Sequence, residues 1–145
     1  MTRILLIIVL LIVYGSLYPF QLRAPELHPW PAQLQRADIG DAVVNLFLYM
    51  PLGMFTFLAL ERRGVRRSNW ILPVAFAFAL SCSMEFLQIF DRTRVCSLLD
   101  VFNNTTGGLI GVALGAKFRM VMSGPVLLIF YWIGFQLCAL FGILA

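Results

Sequence analysis

Residues 70–90 read "WILPVAFAFALSCSMEFLQIF", twenty-one positions with a single charged side chain, Glu85. About 20 apolar residues are enough for a helix to cross the hydrocarbon of a bilayer. No soluble core of this size needs so uniform a run, and the rest of the chain agrees. It has 145 residues, 61% of them hydrophobic and 12% charged, with a mean hydropathy of +0.88. One integral membrane domain is the class this composition implies.

Four more apolar runs flank the first one quoted. They are Ile4 to about Phe20, about Ala42–Leu60, about Leu98–Phe118 and Val126–Ala145. The first begins like a signal peptide, but it runs into Tyr18-Pro19-Phe20 rather than a small-x-small cleavage site, so it reads as a retained helix. Nothing reads as a strand. The expected fold is therefore all-α: a polytopic bundle of five transmembrane helices in a single domain, 1–145.

Charge sets the expected direction. The segment "ERRGVRRSN" carries Arg62, Arg63, Arg66 and Arg67, and basic residues accumulate in cytoplasmic loops. With that segment inside, Arg3, Lys117 and Arg119 join it, so seven of the eleven basic residues are cytoplasmic. The N-terminus is then cytoplasmic and the C-terminus extracytoplasmic. A net charge of +4 distributed this way describes topology and gives no reason to expect a nucleic-acid partner.

In this orientation Glu85 lies about five residues, roughly 8 Å, inside the outer boundary. Ser81 and Gln88 share its helix face at spacings of four and three. Asp100 and Asn104 open the next span from the outside, and Asp41 and Asn45 open the second span in the same way. Carboxylates in hydrocarbon are expensive, so these groups should face the bundle interior, with Arg94 of the intervening loop as counter-charge. The bland reading is that Asp41 and Asp100 are helix-start acids and that Asn45 and Asn104 hold helices together.

Gly107, Gly111 and Gly115 make two successive GxxxG steps, a stripe for close helix approach that continues the Asp100/Asn104 face. Pro51 interrupts the hydrogen-bond ladder of the second span, and Gly53 after it suits close packing. Cys82, Cys96 and Cys138 lie far apart without metal-ligand spacing, and His28 is the single histidine. Neither a metal site nor a cofactor is expected.

Two stretches, "DAVVNLFLYMPLG" (Asp41, Asn45, Pro51, Gly53) and "EFLQIFDRTRVCSLLDVFNNTTGGLIG" (Glu85, Gln88, Arg94, Asp100, Asn104, Thr105, Gly107, Gly111), resemble the VanZ-like family of small bacterial membrane proteins. The resemblance covers about 1–118 and leaves the fifth span, 126–145, as an appended helix. Ser97 stands where an acidic residue often appears. The resemblance implies a cell-envelope role, since the family is named for a protein that raises resistance to the lipoglycopeptide teicoplanin. It implies no established catalytic chemistry.

Three functions fit these residues. The first is a binding or envelope-protecting protein whose outer-leaflet site (Asp41, Asn45, Glu85, Gln88, Arg94, Asp100, Asn104) holds a lipid-linked precursor or a lipoglycopeptide. The second is an enzyme on a lipid-linked substrate, with Glu85 or Asp100 as general acid/base. The absence of a Ser-His or Cys-His pairing argues against it. The third is a transporter or flippase component, which five spans without an internal repeat would need oligomerisation to achieve. Membrane lipids are partners in every case, and a second copy or a membrane partner protein is compatible with each.

Overall fold

The computed structural model describes residues 2–21, 39–65, 70–91 and 96–118. They form four helices: α1 (Thr2–Leu17), α2 (Ile39–Arg62), α3 (Ile71–Gln88) and α4 (Leu98–Phe118). Three of these follow the apolar runs closely. The first is shorter than expected, because the chain leaves the helix at Leu17 and Tyr18–Phe20 form a turn. The expected fifth helix, 126–145, lies outside the described residues.

Among the described residues two helices are long and apolar enough to cross a membrane, over Ala42–Arg62 and Ile71–Gln88. Two of the five expected spans are supported at that level. The α1 helix is apolar but has 16 residues, about 24 Å at 1.5 Å per residue against a hydrocarbon layer of about 30 Å. The α4 helix has 21 residues, but its first nine include Asp100, Asn103, Asn104, Thr105 and Thr106. The apolar helices also expose large hydrophobic side chains, among them Phe47, Ile71, Leu72, Phe78 and Phe86. The core helix of a soluble protein would bury these groups.

Side-chain contacts establish the directions of the helices. Gly107, Gly111 and Gly115 lie against Leu46, Met50 and Met54 respectively, so α2 and α4 run parallel with a constant offset. Gly108 meets Ala77, and Asn104 meets Ser81, so α3 runs antiparallel to α4. Gln88 near the end of α3 bonds Ser16 near the end of α1, which places those two ends together. The four helices therefore alternate in direction. One end of the bundle holds the end of α1, the start of α2, the end of α3 and the start of α4. Arg3, Arg62, Arg63 and Lys117, all exposed, belong to the other end.

The closest contact is between α2 and α4. A methyl group added at Gly107 or Gly111 would run into the carbonyls of Leu46 or Met50, and one at Gly53 would strike the Gly108 backbone. Glycine is needed here because backbone meets backbone, not because of any unusual dihedral. Around this seam the core collects Ile8 and Ile12 of α1, Tyr49, Leu52 and Phe55 of α2, and Ala77 of α3, each at 1% exposure or less. The α2 helix continues through Pro51, which is half-buried.

Candidate functional site

The buried face of α3 is Pro73, Ala77, Ser81, Met84, Glu85 and Gln88, a stripe with the helical period. Its first half is apolar, and its second half is polar in three positions of four. Burying Ser81, Glu85 and Gln88 in a helical bundle demands partners for each, and all three find them on other segments.

Glu85 is 5% exposed, and its Oε2 accepts the Ser97 backbone N–H at 2.6 Å. Ser97 is the residue just before α4, and its own carbonyl accepts the Val101 N–H. Glu85 therefore satisfies an amide at the amino end of α4, where the helix dipole favours a negative charge. The expected counter-charge, Arg94, lies outside the described residues. The thiol of Cys96 sits against the same carboxylate. Burial first, and then the nearby Glu85 and Asp100 charges, push its pKa up to about 11. The thiol is accordingly neutral and unreactive near pH 7.

Gln88 donates from Nε2 to the Ser16 carbonyl at 2.9 Å and ties α3 to the end of α1. Asn104 is 5% exposed and donates from Nδ2 to Ser81 Oγ at 2.8 Å, crossing from α4 to α3. Beside this pair lies Tyr49 of α2, fully buried. Its hydroxyl is close to Ser81 but makes no well-formed hydrogen bond there. Asp91, 1% exposed, closes the polar end just beyond α3.

The structure thus gathers Glu85, Gln88, Asp100 and Asn104 at one end of the bundle. Asn45 is half-buried one turn beyond Asp41 in α2, at the same end. Asp41 stands in the first turn of α2, but its side chain lies outside the described residues. Ser16 also belongs to this region, and so do Tyr49, Asp91 and Cys96, which sequence did not single out as site residues. Tyr49 alone had a legible signal, standing four residues from Asn45 and therefore on its face. Cys96 and Asp91 were invisible because they are brought in by the packing of a loop. Among the described residues no group of three His, Cys, Asp or Glu side chains is arranged to hold a metal.

At the polar end Tyr14, Tyr18 and Phe20 form an exposed ring cluster, with centroids 5.7 to 6.5 Å apart. At the opposite end Trp70 is also exposed. Aromatic residues at both ends of an apolar bundle are the pattern found at the two interfaces of a membrane.

Comparison with known proteins adds identity to this geometry. Protein VanZ of Enterococcus faecium is 23% identical over 99 residues, which are 68% of this chain and 56% of that protein. The chain spans little more than half the length of the curated relative it matches. No solved structure matches it. The VanZ/LLP1 family model matches residues 3–119, which takes in all four helices and the whole polar end. The chain belongs to the VanZ/LLP1 family.

Proposed function

We propose that this is a multi-pass protein of the bacterial inner membrane whose polar end binds the head of an amphiphilic envelope component. The observation that carries the proposal is the separation of charge along the bundle. Buried Glu85, Gln88, Asp91 and Asn104 gather at one end, and exposed Arg3, Arg62, Arg63 and Lys117 at the other. With the basic end cytoplasmic, the N-terminus is inside and the polar end lies in the outer leaflet. The fifth apolar run then crosses last and leaves the C-terminus outside. The exposed aromatic residues at both ends, Tyr14, Tyr18 and Phe20 at one and Trp70 at the other, fit this placement.

An acyl or polyprenyl tail would lie against the exposed apolar flanks of the helices, and its polar head among Glu85, Gln88, Asp100, the Asp41/Asn45 pair and Arg94. Family membership points the role toward the envelope, and through the resistance protein that gives the family its name toward lipoglycopeptide tolerance. The candidate ligand is therefore a lipid-linked precursor or the lipoglycopeptide itself, and no turnover is required. An acid/base enzyme using Glu85 or Asp100 is the competing reading, and a flippase component is a third.

The test is tolerance to teicoplanin in a sensitised host, with membrane abundance measured in parallel. Glu85→Leu should abolish the phenotype at equal abundance, while Glu85→Gln, which keeps an acceptor for the Ser97 amide, should retain part of it. If glutamine is as damaging as leucine, the ionisable proton matters and the enzyme reading gains. A fully active, well-folded Glu85→Leu protein would sink the proposal.

A further inference from the structure

One turn of α3 inward from Glu85, three helices each contribute a polar side chain to a single point. Tyr49 of α2 and Ser81 of α3 are 0% exposed, and Asn104 of α4 is 5% exposed. The Asn104 amide spends one N–H on Ser81 Oγ at 2.8 Å. Its Oδ1 and the Tyr49 hydroxyl have no hydrogen-bond partner among the described residues. Both residues approach Ser81.

Such an arrangement is costly if dry, because a buried donor or acceptor without a partner forfeits its hydration with no return. Turning the Asn104 amide over does not remove the problem. Ser81 would then donate to Oδ1, and Nδ2 would be left unpaired in its place. The inventory is specific: a phenol needs an acceptor for its proton, and an amide oxygen needs a donor. One small group that accepts once and donates once answers both. Water does so, and typical buried waters make about three such bonds in polar sites of this kind. A cation would suit the two oxygens but would leave the phenol proton without an acceptor.

We infer that Tyr49, Ser81 and Asn104 hold one buried water molecule at the α2–α3–α4 junction, accepting from Tyr49 Oη and donating to Asn104 Oδ1. It continues the polar face of α3 from Glu85 into the centre of the bundle and makes Tyr49 part of the hydrogen-bonded network. This assignment does not depend on a ligand at the polar end.

The experiment uses the full chain in detergent or lipid nanodiscs, comparing wild type with Tyr49→Phe, Ser81→Ala and the double variant. Tyr49→Phe keeps the ring and removes only the hydroxyl. If the water is present, it should lower the melting temperature by a few degrees, on the order of 2–4 °C per kcal/mol lost. The double variant should lose less than the sum of the singles, because either change releases the same water. An unchanged or raised melting temperature for Tyr49→Phe means a dry hydroxyl and overturns the inference, as do strictly additive losses. A structure of the wild-type protein at a resolution that shows waters decides independently of folding. A single density peak about 2.6–3.2 Å from both Tyr49 Oη and Asn104 Oδ1 supports it. No peak, or density larger than one water, overturns it.

Discussion

A methyl group at Gly111 tests the seam between α2 and α4 with the smallest possible change. A Cβ there meets the Met50 carbonyl oxygen, with the Met50 carbonyl carbon and the Met54 nitrogen each at 2.9 Å. All three are backbone atoms of α2, so no side chain can swing away. Ordinary contact begins near 3.4 Å, and clearing the carbonyl oxygen parts the helices by roughly 1 Å or more, a gap that forfeits about half of each dispersion contact. For roughly 40 atom pairs of about 0.15 kcal/mol each, the loss is about 3 kcal/mol. Gly15 supplies the control, since a methyl group there meets nothing within 4 Å. Gly15→Ala gains helix propensity and should be neutral or stabilising by up to about 1 kcal/mol. Ile110→Leu, beside the seam but off the glycine stripe, should change little. The assay is thermal unfolding of the three purified variants in one detergent, and Gly111→Ala should melt several degrees below Gly15→Ala. Equal melting temperatures would refute the backbone-to-backbone contact, and with it the inward direction of the Asn104 face.

Other outcomes follow from the polar end. In a variant whose single cysteine is Cys96, alkylation should rise with pH toward a midpoint near 11, and Glu85→Gln should lower that midpoint without restoring a free thiol, because burial is the larger cause. A midpoint unmoved by Glu85→Gln would separate Cys96 from the carboxylate. With Cys96 replaced, Ser68→Cys should resist an impermeant thiol reagent in intact cells and Ala32→Cys should react. Labelling at Ser68→Cys would reverse the proposed orientation.

The helices were legible because helix formation in an apolar chain is decided by local composition. The run at 98–118 matches α4 end to end, and the run at 70–90 differs from α3 by one residue at the start and two at the end. The α1 helix fell three residues short because Pro19 denies a donor to the last turn and Tyr18 takes the chain out of the helix. The polar character of Ser81, Glu85 and Gln88 on one face was equally readable, since spacings of three and four share a face whatever surrounds them.

Partners were not readable, because pairing depends on which faces meet. The Gly107–Gly115 stripe announced a close neighbour, but only the fold identifies it as α2, running parallel with its carbonyls at the glycines. The fold gives Glu85 the amide of Ser97, a group with no sequence signature because every non-proline residue carries it. Tyr49 shares a helix face with Asn45 but otherwise looks like any aromatic residue in an apolar run. Its burial beside Ser81 and Asn104 exists only where three helices converge, and one-dimensional order does not encode that convergence. Sequence alone determined which segments leave water and which residues would be expensive to bury; tertiary packing decided what each of those residues touches.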